Sequence, residues 1–200
     1  MKKIYSFLLL IFISSGVYSQ TFTDKDLQKN VLQINTAASS SDYDALFKKF
    51  TSSSTSEKWQ AYYYAAVTQY MKAETVKSAS LAESNALALK YAMSIVNSQP
   101  DNIEISILIG LAKLQRVRIN ASPDAKKDAE TILQFISKAE SVSPNNPRLT
   151  LLKAGFVKQF PDKTFDQMNA SQLQQKAAKD FDTSNSTDVT WGRQLLSLNK

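Results

Sequence analysis

The chain ends in Ser197, Leu198, Asn199 and Lys200, which match the Ser-x-x-Lys spacing in which a lysine amine activates a serine hydroxyl. The companion motifs of that hydrolase class are missing, so the match reads as coincidence. Carboxylates stand close together at Asp24/Asp26 and Asp42/Asp44, as acid–base partners would. Each pair falls where a helical pattern begins, and there it offsets the positive end of the helix dipole without any catalytic role. The chain has no histidine and no cysteine, which removes Ser-His-Asp and Cys-His triads and zinc sites of the usual composition. Its four glycines, at positions 16, 110, 155 and 192, never cluster into a phosphate-cradling loop. We therefore expect a protein that is not an enzyme, with no catalytic residue, no metal ligand and no cofactor.

The elements that would position any site follow from periodicity. Shifting the sequence by 44 residues lays Pro100 on Pro144, aligns Ala66 with Gly110 and Ala154, and aligns Phe47 with Tyr91 and Phe135. Repetition at this length marks stacked units that cannot bury their faces alone. Leu27, Val31, Leu32 and Ile34 predict a first helix from about Thr23, with Thr23 as its cap. Tyr43, Leu46, Phe47 and Phe50 predict a second. Trp59, Tyr62, Tyr63, Ala66 and Tyr70 line one side of a third, which Ser54 and Glu57 would open as a capping box; this aromatic stripe is either core or a stacking platform. Ser78 to Ser80 break the pattern, and a fourth helix runs to Gln99-Pro100.

Ile103 to Ile109 alternates with period two as a strand would, but the apolar run continues through Val117 and is too long for one, so we read it as a central helix. Ser122 before Pro123 would cap the sixth helix and Asn146 before Pro147 the seventh. An eighth, Ala170 to Asp182, has lost the register, as a capping unit does. A Ser/Thr/Asn linker, Asp182 to Thr187, precedes a last short helix that Asp188 would cap. The fold class is thus all-α: a right-handed stack of antiparallel helix hairpins, eight to nine helices in all.

Composition fits one domain, with 43% hydrophobic and 21% charged residues and few glycines or prolines. Residues 1–19 read as an export signal, Lys2-Lys3 before the apolar run Ile4 to Ile13 and a break at Ser14-Ser15-Gly16, leaving 20–200 as a single helical-repeat domain. Its units are 23–53, 55–100, 102–144 and 146–182, with a C-terminal cap at 188–198. The protein is expected to be periplasmic or secreted, with no membrane span after cleavage and, lacking cysteine, no lipid anchor. The formal charge of +6 falls to +4 without Lys2 and Lys3, and it is dispersed, so nucleic acid is not an expected partner. Lys113, Arg116 and Arg118 read as a solvated face.

The third unit resembles a tetratricopeptide repeat: Ile109-Gly110 stands at the Leu-Gly place, Ala112 follows, Ala139 comes five residues before the closing proline, and Pro144 is that proline. Ala66 and Pro100 keep two of these places in the second unit, and Ala154 one in the fourth. The period departs from the family's ~34 residues. The resemblance implies an inner groove lined by first-helix side chains at fixed offsets from the small residue. The first wall would be Gln60, Tyr63, Val67, Tyr70 and Met71. Glu104, Ile107, Leu111, Leu114 and Gln115 would form the second, and Arg148, Leu151, Lys158 and Gln159 the third. Such a groove would engage a protein or peptide, unless terminal helices fill it. The alternatives are a self-assembling structural component of the cell envelope and a carboxylate-dependent envelope or glycan-processing hydrolase.

Overall fold

The computed structural model describes residues 22–76, 80–163, 165, 167–183 and 191–198. The export signal, the break at 78–79, the linker at 184–187, the Asp188 cap and Lys200 of the Ser-x-x-Lys match lie outside them. The described residues form nine α-helices: α1 (Lys25–Gln33), α2 (Ser40–Thr51), α3 (Lys58–Thr75), α4 (Leu81–Ser94), α5 (Ile103–Arg118), α6 (Ala125–Val142), α7 (Pro147–Gln159), α8 (Ala170–Asp182) and α9 (Leu195–Leu198). Consecutive helices pack as antiparallel pairs, and no described helix is long and apolar enough to cross a membrane.

Local chemistry sets the helix starts. Asn146 accepts hydrogen bonds from the backbone N–H groups of Arg148 and Leu149, with Pro147 in the first turn, as the sequence suggests. Asn169 with Gln172, and Ser39 with Asp42, form complete capping boxes. Three expected caps are corrected. Asp24, not Thr23, caps α1, because a carboxylate two and three residues before the free N–H groups of Asp26 and Leu27 can accept both. Glu57 makes no box with Ser54; its carboxylate reaches across to the backbone N–H groups of Thr23 and Asp24 at 2.9 and 3.1 Å and pins the start of the described chain to α3. Asp124, not Ser122, caps α6, and the Ser122 hydroxyl donates instead to Asp128 at 2.7 Å.

The run from Ile103 is helical throughout, and ten of its residues are buried, as expected of an element covered on several sides. Its glycine does mark a close approach, although the partner is α7 rather than its hairpin mate α6. A Cβ at Gly110 would stand 2.7 Å from Leu152 Cδ2, and one at Gly155 would stand 2.8 Å from Leu114 Cδ2. The two contacts follow one another in the same order along both helices, so α5 and α7 lie side by side in parallel, each glycine receiving the other's leucine.

The basic cluster of α5 is solvated only in part: Arg118 is exposed, whereas Lys113 and Arg116 are half-buried. Asp128, 1% exposed, receives hydrogen bonds from Lys113, Arg116 and Ser122, and Arg118 pairs with Glu74 of α3. Burial would raise the Asp128 carboxyl, but the bonds from Arg116, Lys113 and Ser122 outweigh it and hold the group well below the usual carboxylate range. A carboxyl lowered on folding stabilises the protein above its unfolded value of ~3.9, and the contribution is lost as pH falls toward its folded value.

Two outcomes follow from this packing. Gly110→Leu should cost about 3 kcal/mol in chemical denaturation, because Leu152 is fully buried and has nowhere to go. Asp128→Asn should cost about 3 kcal/mol at pH 7 by leaving two cations half-buried. Its deficit against wild type should shrink steadily as denaturation is repeated from pH 4 downward.

Candidate functional site

The first helices of successive units, α3, α5 and α7, present their equivalent positions on one inner face. Gln60, Glu104 and Arg148 occupy one repeat position, and Tyr63, Ile107 and Leu151 another. The structure joins three of these. Glu104 Oε2 accepts from the Tyr63 hydroxyl at 3.2 Å and faces an Arg148 guanidinium nitrogen at 3.4 Å, while its other oxygen accepts from the Asn146 amide. One carboxylate at the start of α5 thus ties α3 to α7.

The face is covered by the chain's own C-terminal segment. Trp191 is 1% exposed; its ring meets Tyr63 and Tyr70 edge to face at 6.3 Å each, and the Arg148 guanidinium lies over it at 4.6 Å. Arg148 Nε also donates to the Trp191 carbonyl at 3.0 Å. Gly192 adopts φ 97°, a conformation costly to any residue with a Cβ, and turns the chain against Phe181 and Leu151. The Gln194 side chain then donates to the Ile34 and Asn35 carbonyls at the end of α1, both at 3.2 Å, and Leu195 is buried. Arg193 pairs with Asp182 at 3.1 Å.

The groove residues expected from the sequence therefore fall into four groups. Tyr63, Tyr70, Arg148 and Leu151 contact or flank the segment, with Glu104 behind them. Gln60, Val67, Met71, Ile107, Leu111 and Leu114 are buried, which puts them in the core for the most part. Gln115 belongs to a separate polar network: its amide donates to Glu74 at 2.8 Å and to the Tyr70 carbonyl at 3.3 Å, and its oxygen accepts from Asn85 at 2.7 Å. Lys158 and Gln159 remain exposed beyond the segment. Trp191, Gly192, Gln194, Glu74 and Asn85 are the residues that repeat offsets do not reach. A tryptophan and a glycine side by side after a polar linker were the available signal for the first two.

Burial pushes the Tyr63 hydroxyl far above its ordinary value, the nearby Glu104 carboxylate adds to this, and Arg148 and a hydrogen bond from the Trp191 side chain oppose it only in part. Tyr70 is raised likewise by burial and then by Glu74. Both phenols are neutral hydrogen-bonding groups throughout the physiological range. The face presents aromatic edges, one guanidinium and a fixed carboxylate, a set suited to holding an aromatic ring and a carbonyl.

The chain matches no family model and no curated protein. Among solved structures it is similar to the HusA haemophore of Porphyromonas gingivalis, with a TM-score of 0.65 at 20% identity over 88% of this chain and 91% of that one. It is also similar to a thermophilic tetratricopeptide-repeat protein of Thermus thermophilus, with a TM-score of 0.56 at 18% identity over 86% of each. The fold is tetratricopeptide-like. The expected resemblance is thereby borne out at the level of architecture, despite the 44-residue period.

Glu104→Ala should lower stability by about 2 kcal/mol, because it leaves Arg148 half-buried without its carboxylate. Asp101→Ala, which removes a 97% exposed partner of Lys138, is the control and should change denaturation midpoints negligibly.

Proposed function

We propose that this protein is an exported, non-catalytic binding module whose inner helical face takes up a linear segment of a protein partner. The observation that carries the reading is that the face already holds such a segment, residues 191–198, through a buried tryptophan and a main-chain carbonyl. Peptide uptake in a helical groove uses this division of labour, an aromatic anchor for affinity and main-chain contacts for direction. The described carboxylates nearest to any catalytic use are occupied as caps or in ion pairs: Asp24 and Asp42 at helix starts, Asp44 with Lys72, Glu104 with Arg148. Export is supported by residues 1–19 of the sequence.

A second reading is favoured by one observation, the near full-length likeness to a haemophore. On this reading the aromatic face would receive a porphyrin in place of Trp191, with Arg148 beside a propionate. Without histidine or cysteine the iron would take a tyrosine or methionine. The high Tyr63 and Tyr70 proton affinities oppose this as long as both stay buried.

A photo-crosslinking residue at Lys158, exposed at the edge of the inner face, should capture a partner from envelope extracts that the same residue at exposed Val142 of α6 does not. Equal capture at both positions, or none, would count against the peptide reading. Titration with haemin separates the alternative: a saturable Soret shift at one equivalent favours it, and an unchanged free-haemin spectrum up to ~10 μM rejects it.

A further inference from the structure

Trp191 is held as a ligand is held. Its ring is gripped from the edges by Tyr63 and Tyr70 and from one face by Arg148, and its carbonyl is read by the same guanidinium. None of these contacts depends on the tryptophan belonging to this chain. We propose that the slot between Tyr63, Tyr70 and Arg148 is a recognition site for an aromatic side chain on an extended peptide of a partner, and that residues 191–198 are its built-in competitor. This rests on the reading that the inner face binds peptides, and adds what the face selects and how access to it is controlled.

The polar frame of the slot is tied together by contacts outside the segment. Glu104 faces the Arg148 guanidinium and is itself fixed by the Tyr63 hydroxyl and the Asn146 amide, and all of these belong to α3, α5 and the start of α7. A site whose donors are already oriented loses little entropy when a ligand arrives. The segment, by contrast, has little regular structure of its own. It comprises a turn at Gly192 and one helical turn of four residues, held beyond Trp191 by Arg193 on Asp182, by Gln194 on carbonyls of α1 and by the buried Leu195. Only seven residues lie between Thr183, at the end of α8, and Trp191. Because the tryptophan belongs to the same chain, its entry into the slot is an intramolecular step that a free peptide of equal chemistry must outcompete. A partner must therefore exceed a tethered competitor of the same chemistry, which excludes weak, non-specific aromatic peptides and admits ligands with further contacts, such as those available beside exposed Lys158.

The test uses full-length chains and a fluorescein-labelled, N-acetylated peptide with the sequence of residues 191–198, followed by fluorescence anisotropy. Trp191→Ala should bind the peptide at least tenfold more tightly than wild type, and adding Arg148→Ala should remove at least tenfold of that gain. Gly192→Ala is the second variant, because it leaves Trp191 and the slot intact and strains only the turn; it should bind at least threefold more tightly than wild type. Equal binding by wild type and both variants, with circular dichroism showing all three folded, would overturn the proposal, as would binding indifferent to Arg148. If Trp191→Ala does not fold, the Gly192→Ala comparison decides alone. Peptide uptake by these variants without specific crosslinking at Lys158 would keep the slot and remove the partner reading. Crosslinking at Lys158 that is unaffected when the slot is opened would do the reverse.

Discussion

A helix that is apolar on nearly every side must be covered on nearly every side, and this constraint governs the molecule. α3 and α5 bury eleven and ten residues respectively, which two hairpin neighbours cannot accomplish alone. In a long repeat array the inner face of such helices is left to a ligand or stays polar. Here it is aromatic and aliphatic, and the final eight described residues close over it. The charged groups obey the same requirement: Glu104 and Arg148 can sit half-buried at the face because each pairs with the other and Arg148 Nε also donates to the Trp191 carbonyl.

Much of this architecture was written in the sequence because it depends on local and periodic signals. The bounds of α7 and α8 follow from Asn146-Pro147 and from the apolar spacing of Leu173, Ala177 and Phe181. The Ile103–Arg118 helix follows from the length of its apolar run, against a strand-like alternation. Gly110 was legible as a point of close approach, but its partner was not. A repeat column says that a small residue is needed, and whether Leu152 of the next unit or a side chain of α6 fills the space is decided by packing. Cap identities shifted for a related reason: Thr23, Ser54 and Ser122 all have suitable hydroxyls, but the carboxylates of Asp24 and Asp124 take the backbone N–H groups at the starts of α1 and α6, Glu57 turns to Thr23 and Asp24, and Ser122 donates to Asp128.

The candidate site was legible in part. Offsets from the small residue brought out Tyr63, Glu104 and Arg148, which do meet, because positions one period apart on parallel helices become neighbours. Filling of the groove by a terminal segment was one of the two sequence alternatives and is what the structure shows; that Trp191 would be the occupying side chain was not legible, since it lies outside the repeat register. The basic residues of α5 were misread for want of their acids: Asp128 lies ten or more positions on, and Glu74 a whole unit back. Sequence proximity made a cluster of three cations; the fold gives Lys113 and Arg116 one shared carboxylate and Arg118 another.

The hydrogen bonds from Gln194 to the last carbonyls of α1 join the end of the described chain to its beginning. Stacked repeats ordinarily have open ends, and a lineage can lengthen or shorten them by gaining or losing a unit. This stack is closed. Another hairpin inserted anywhere between α1 and α8 would carry Gln194 away from Ile34 by at least one helix spacing, roughly 8–10 Å, and would withdraw Trp191 from its slot at the same stroke. The spacing between α1 and the segment at 191–198 is therefore tied to the number of helices between them.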